Sequence, residues 1–230
     1  MLRHVGDPQA SAREAAAVAA VELVEPGMTI GLGSGRAVWR LVEQLGERGL
    51  DVRAAVASNR TAELARGVGI EIVELDGSIE LDLALDGADE VDPRLDLIKG
   101  GGGALLREKI VISAARRFVV VAETPKKVER LGEHSRLPVE VVRFAWEDTR
   151  RRLTALLPEA ELRTVADGQP YLTDEGHYIL DCPLGPDSRP ATLGPELKMV
   201  PGVVEHGLFI GMAERALLGA PDGSVEVLRH

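Results

Sequence analysis

Between residues 28 and 122, short apolar runs alternate with helical patterns. Met28–Leu32, Val52–Ala57, Ile70–Glu74, Leu81–Asp86 and Phe118–Ala122 read as strands. Ala37–Arg48, Thr61–Gly67 and Ala104–Arg116 read as helices among them. An Ala-rich helix, Ala10–Glu25, precedes them and is closed by Pro26-Gly27. A strand that returns through a helix can lie parallel to its predecessor, so this order predicts a parallel sheet covered on both faces. Phe118–Ala122 is apolar at every position, as expected of a central strand buried on both sides.

The second half reads differently. Pro138–Arg143 is a strand, Glu147–Leu157 a helix and Glu161–Thr164 a strand. Tyr171–Thr173 and His177–Asp181 read as a hairpin around Asp174-Glu175-Gly176. Thr192–Val200 is a helix and Val203–Glu205 a strand. This is the ferredoxin-like β-α-β-β-α-β order. The tail after Gly207 has strand-like pieces that return to the first unit. The expected division is therefore residues 1–130 completed by 208–230, with 131–207 as a smaller domain.

The chain has 230 residues, enough for a real core without a metal or disulfide staple. Its 37 acidic and 27 basic residues give a net charge of −10, which disfavours nucleic acid and anionic membrane surfaces as partners. No apolar run spans a bilayer, and Met1–Arg13 lacks a signal-type core, so a cytoplasmic location is expected. The single cysteine, Cys182, excludes an internal disulfide and reads as a buried small apolar residue. His4, His134, His177, His206 and His230 show no metal-ligand spacing and read as structural.

Three segments carry possible chemistry. Gly31-Leu32-Gly33-Ser34-Gly35 follows the first strand and opens a helix, where free N–H groups attract anions. It is neither a Walker motif nor a dinucleotide fingerprint. Asp86-Gly87-Ala88-Asp89-Glu90 sits at the carboxyl end of a strand, the edge where open α/β sheets bind ligands. Clustered carboxylates repel, so a pair handling hydroxyl protons is the favoured reading, beside an acidic turn. Lys99 then leads four glycines, Gly100 to Gly103, into the helix that carries Glu108. Such a run is entropically costly and suits a backbone nest for an oxyanion, with Lys99 adding charge. Glu108, facing back toward the loop, suits a general base on a carbon acid. Of Lys126 and Lys127, one is placed to meet a substrate anion.

Together these segments closely resemble the ribose-5-phosphate isomerase A family. Gly31–Gly35, Asp86–Glu90, Lys99–Lys109 and Lys126 carry the likeness, with Pro201–Phe209 and Pro221–Gly223 near the end. The resemblance implies a Rossmann-like domain with the smaller ferredoxin-like one. It implies interconversion of ribose 5-phosphate and ribulose 5-phosphate through a cis-enediol, with no metal or cofactor, in a homodimer or homotetramer. Glu108 would carry the proton, and Asp86, Asp89 and Lys99 would serve the oxygens. Substrate would be held by Arg13, Gly33, Ser34, Gly35, Arg36, Ala37, Gly87, Ala88, Gly100, Gly101, Gly102 and Lys126. Two positions depart from the family pattern. Ser34-Gly35-Arg36-Ala37 replaces Thr-Gly-Ser-Thr, and Arg36 offers a charge-assisted bond to phosphate in place of two hydroxyls. An early family lysine is Arg13, a fork rather than a point charge.

Three other readings stay open. The first is an isomerase of another sugar phosphate. The second is a sugar-phosphate sensor of the same fold, against which stand Glu108 and a start only a few residues before the first core helix. The third is a CoA-transferase-like enzyme with Glu108 as nucleophile.

Overall fold

The computed structural model describes residues 8–229, so His4, His230 and the segment ahead of residue 8 lie outside it. In chain order the first half holds α1 (Pro8–Val21), β1 (Thr29–Leu32), α2 (Arg36–Arg48), β2 (Arg53–Val56), α3 (Asn59–Gly67), β3 (Glu71–Ile72), β4 (Leu83–Asp86), β5 (Glu90–Val91), β6 (Leu97–Ile98), α4 (Leu105–Ser113) and β7 (Phe118–Glu123). The second half holds β8 (Leu137–Val141), α5 (Trp146–Leu153), β9 (Glu161–Leu162), β10 (Tyr178–Cys182), α6 (Pro190–Lys198), β11 (Val203–His206), β12 (Leu208–Phe209), β13 (Arg215–Gly219) and β14 (Val225–Arg229).

The predicted parallel sheet is formed, in the order β14-β13-β7-β4-β1-β2-β3. Every neighbouring pair is parallel except β13–β14, which the tail closes antiparallel. Alternate residues of the central strands face opposite sides. Ile30, Leu32, Leu83, Leu85, Val119 and Val121 pack with α1 and with Val38, Leu41, Val42 and Leu45 of α2. Ala84, Val120 and Ala122 face the other way, against Ile112, Phe209 and Leu218. Both faces are therefore apolar, and β4 and β7 are buried at every position.

The second sheet runs β11-β8-β10-β9, antiparallel throughout, with α5 and α6 in the crossovers. That is the β-α-β-β-α-β order read from the pattern. Its core gathers Leu137, Val139, Leu153, Leu180, Cys182 and Leu197, and Ile98, Val128 and Leu208 join it from outside the sheet. A third sheet, β12-β6-β5, is made of two-residue strands, too short to show any period in the sequence.

Two expectations are corrected. The helix expected over Ala10–Glu25 stops at Val21, because Leu23 and Val24 bond back only three residues and tighten the chain ahead of Pro26. Tyr171–Thr173 is not a strand. The edge of β10 that it would need is taken by β9, and Pro170 before it has no N–H to give.

Candidate active site

Because the strands are parallel, β1, β4 and β7 deliver their carboxyl ends to one edge of the sheet. A cavity of about 330 Å³ opens there. Ser34, Gly35, Arg36 and Ala37 line it from the start of α2, Gly87, Ala88 and Asp89 from the loop after β4, and Lys99 with Gly100, Gly101 and Gly102 from the glycine loop. Glu108 and Lys126 complete the expected set in the lining. Trp39, Val121 and Glu123 line it as well and were not expected. Glu123 and Val121 carry a readable signal, since they end β7 at the same edge as Asp86. Trp39 lies one turn past Arg36, and nothing in its spacing sets it apart from core.

The floor is a buried charge cluster. Lys99 Nζ lies 2.8 Å from Asp86 Oδ2 and 3.2 Å from Glu108 Oε2, and it donates to Gly87 O at 2.6 Å. Lys99 and Asp86 are 2% and 1% exposed, so both charges are largely cut off from water. Asp86 is absent from the lining and reaches the cavity through Lys99. Its Oδ1 accepts the N–H of Gly87 at 2.7 Å and of Ser34 at 3.2 Å. Gly33 stands behind the carboxyl, off the lining. A Cβ there would fall 1.8 Å from the Asp86 carboxyl carbon, so only glycine lets the two loops meet. Asp89 accepts the Gly101 N–H at 2.7 Å. The third acid of that loop, Glu90, turns away and receives the N–H groups of Gly132, His134 and Ser135, each at 2.6 Å.

Burial pushes the Glu108 carboxyl up to about 8, and the Asp86 charge pushes the same way against the Lys99 ammonium. Burial also raises Asp86, opposed by Lys99 and by the Gly87 and Ser34 N–H groups. Burial works against the Lys99 ammonium, but the two carboxylates outweigh it and hold it above the ordinary lysine range. One cation thus serves two buried acids, and both burial and the closeness of the two carboxyls favour keeping a proton on the pair. Asp86 has the better donors for the ionised form.

The remaining charged residues sort by partner. Arg13 is buried off the lining and pairs with Glu123 at 3.0 Å, so it meets the cavity through that acid. The Ser34 hydroxyl donates to Ser58 Oγ at 3.0 Å, and Ser58 caps α3. Arg36 and Lys126 face the cavity with no ion pair among the described residues. Lys127 turns out to Glu226. Lys109 pairs with Glu205 at 2.8 Å and Arg107 with Asp174 and Glu175 at 3.2 and 2.6 Å, which makes both structural. His177 meets Glu140 at 2.9 Å. Burial pushes the Cys182 thiol up to about 12, which suits an inert core residue. No group of acids, histidines and cysteine among the described residues is arranged to hold a metal, and no helix among them is long and apolar enough to cross a membrane.

Known proteins with this arrangement agree with one another. The family model described as ribose 5-phosphate isomerase A (phosphoriboisomerase A) matches residues 53–223. A ribose-5-phosphate isomerase A of Synechococcus sp. (strain JA-3-3Ab) is 50% identical, covering 95% of this chain and 96% of its own. One from Roseiflexus castenholzii is 51% identical, covering 94% of each. The solved ribose 5-phosphate isomerase A of Methanocaldococcus jannaschii superposes with a TM-score of 0.88 at 36% identity, over 95% of this chain and 98% of that one. A D-ribose-5-phosphate isomerase solved in complex with phospho-erythronic acid gives 0.90 at 35%, over 96% and 99%. Matched this closely over nearly its whole length, the chain belongs to the ribose 5-phosphate isomerase A family and is an aldose–ketose isomerase.

Proposed function

We propose that the chain interconverts D-ribose 5-phosphate and D-ribulose 5-phosphate, with Glu108 moving one proton between C2 and C1. In the open-chain aldose, Glu108 takes the C2 proton and the electron pair forms the C1–C2 double bond of a cis-enediol. The carbonyl oxygen O1 gains a proton and O2 gives one up. Glu108 then returns its proton to C1, leaving the ketone at C2. Lys99 and the glycine-loop N–H groups offset the negative charge at the oxygens, Asp89 takes part in moving their protons from the lining, and Asp86 takes part through Lys99.

The observation that carries this reading is the contact of Glu108 and Asp86 with one buried ammonium beneath a cavity. A base with a raised pKa is matched to a weak carbon acid, and the ammonium supplies the charge that a metal supplies elsewhere. Arg36, Lys126 and the start of α2 suit the phosphate, by charge and by free N–H groups. A relative's complex with phospho-erythronic acid supports a site that takes phosphate at one end and an oxyanion at the other.

The same proposal divides the chain into 1–130 with 208–230, and 131–207; most of the second apolar core falls within 131–207, with Ile98, Val128 and Leu208 entering it from the larger unit. It includes a homodimer or homotetramer in the cytoplasm, tested by light scattering on the purified chain and by fractionation. The activity is tested with ribose 5-phosphate and excess chelator, using Glu108→Gln as the blank. Turnover that survives chelation and vanishes in the variant is expected. No turnover from folded wild type refutes the reading.

A further inference from the structure

The carbonyls of the glycine loop are held from outside the cavity. Arg163, just past β9, donates Nη1 to Gly100 O at 2.9 Å and to Gly101 O at 3.0 Å. Its other edge is clamped by Asp181 of β10, Nε to Oδ2 at 2.8 Å and Nη2 to Oδ1 at 2.5 Å. The Tyr171 hydroxyl donates to Gly102 O at 3.0 Å, and the guanidinium lies 5.8 Å from the centre of the Tyr171 ring. Gly103 is glycine for the same reason: with φ +83°, an added Cβ would fall 2.3 Å from the Tyr171 hydroxyl. Arg163, Asp181 and Tyr171 do not line the cavity.

A trans peptide points its C=O and its N–H in opposite directions. Drawing Gly100 O and Gly101 O toward Arg163 therefore turns the Gly101 and Gly102 N–H groups the other way, toward the cavity. The Gly101 N–H meets cavity-lining Asp89 there, at 2.7 Å. The Gly102 N–H has no partner among the described residues. Glycine peptides left alone sample many orientations, so donors built from them need outside bracing to stay aimed. A planar guanidinium can grip a carboxylate with one edge and two carbonyls with another nitrogen; an ammonium has no such fork.

We propose that Arg163, locked by Asp181 and lying near the Tyr171 ring, is a positioning residue for the isomerisation: it aims the Gly101 N–H at Asp89 and the Gly102 N–H at the enediolate oxygen. The inference rests on the isomerase reading above. It gives the second sheet a part in the chemistry without a contact to substrate.

The test measures kcat and KM for ribose 5-phosphate in wild type, Arg163→Ala and Arg163→Lys. Affinities for inorganic phosphate and for phospho-erythronic acid are measured alongside. Removing an oxyanion donor costs about 10²–10³ in kcat, and loosening its aim should cost about tenfold. Arg163→Ala should show that loss, with a matching loss of affinity for phospho-erythronic acid and phosphate affinity kept within about twofold. Millimolar guanidinium should restore part of kcat. Arg163→Lys should fall between, and it carries the test if the alanine variant does not fold. Unchanged kcat overturns the inference. So does a parallel loss of kcat and of phosphate affinity, the mark of a slackened cavity. Wild type inactive on ribose 5-phosphate refutes the isomerase reading itself, whereas active wild type with an equally active alanine variant refutes only the brace.

Discussion

Replacing Lys99 with methionine should make the protein's stability depend on pH one proton more steeply than in wild type. Lys99 contacts two acids that are almost fully buried, Asp86 at 2.8 Å and Glu108 at 3.2 Å. The Lys99 ammonium favours the ionised form of both acids; without it nothing offsets their burial, and the pair should retain one more proton through neutrality than in wild type. The sign follows from linkage. A carboxyl whose folded pKa is raised binds more protons folded than unfolded, so stability is lost as pH climbs from the unfolded pKa to the folded one. One extra retained proton adds about 1.4 kcal/mol of loss per pH unit, or about 4 kcal/mol between pH 5 and pH 8. That matches the roughly 3–5 kcal/mol expected for removing one partner of a buried pair. It is also a large share of the roughly 5–15 kcal/mol that holds a typical domain folded. Urea unfolding of wild type and Lys99→Met at both pH values reads this directly, with equal m-values as the control. The stability gap between the two proteins should widen steadily from pH 5 to pH 8. A gap that stays constant would refute the account of Lys99 as the charge that lets the buried acids ionise.

Three shorter tests bear on the rate. Glu108→Gln should lower kcat by about 10²–10⁴-fold while ribose 5-phosphate still binds in calorimetry, since an amide cannot take the proton; near-wild-type turnover would remove Glu108 as base. The ionised fraction of a base near pKa 8 grows tenfold per pH unit below that value. The wild-type kcat/KM should therefore climb through neutrality and level off near pH 8, and a profile flat from pH 6 upward would place the base elsewhere. Arg36→Ala should raise KM by about tenfold with kcat nearly unchanged, because a phosphate grip is felt equally in ground and transition states; an unmoved KM would make Arg36 a bystander.

The main sheet was legible because its signal is repeated. Five apolar runs with helices among them permit few arrangements, and β4 and β7 are buried at every position, as their composition requires. The tiny sheet β12-β6-β5 was not legible. A two-residue strand has no period, and what makes it a strand is its partner: Leu97 and Ile98 pair with Val91 and Glu90 on one side and with Phe209 and Leu208 on the other. The expected strand at Tyr171–Thr173 failed for the converse reason. Local pattern favoured it, but β9 already held the edge it required.

The site divides along the same line. Asp86, Lys99 and Glu108 could be matched from sequence because parallel strands send their ends to one edge, and a glycine run opening a helix points at that edge too. Arg13 lies outside that logic. Its place in the site comes from the family likeness, and the fold pairs it with cavity-lining Glu123, a partner 110 residues away at 3.0 Å. No rule of spacing reaches across that distance. Arg163 lies further from view, because the groups it meets in the glycine loop are backbone carbonyls. Every residue has a carbonyl, so an acceptor of this kind leaves no trace in residue identity. Its only trace is the need for glycine where a brace comes close, and Gly103 beneath Tyr171 shows it. The glycine run therefore answers two demands at once: N–H groups open toward the cavity, and a backbone bare enough for Arg163 and Tyr171 to grip from behind.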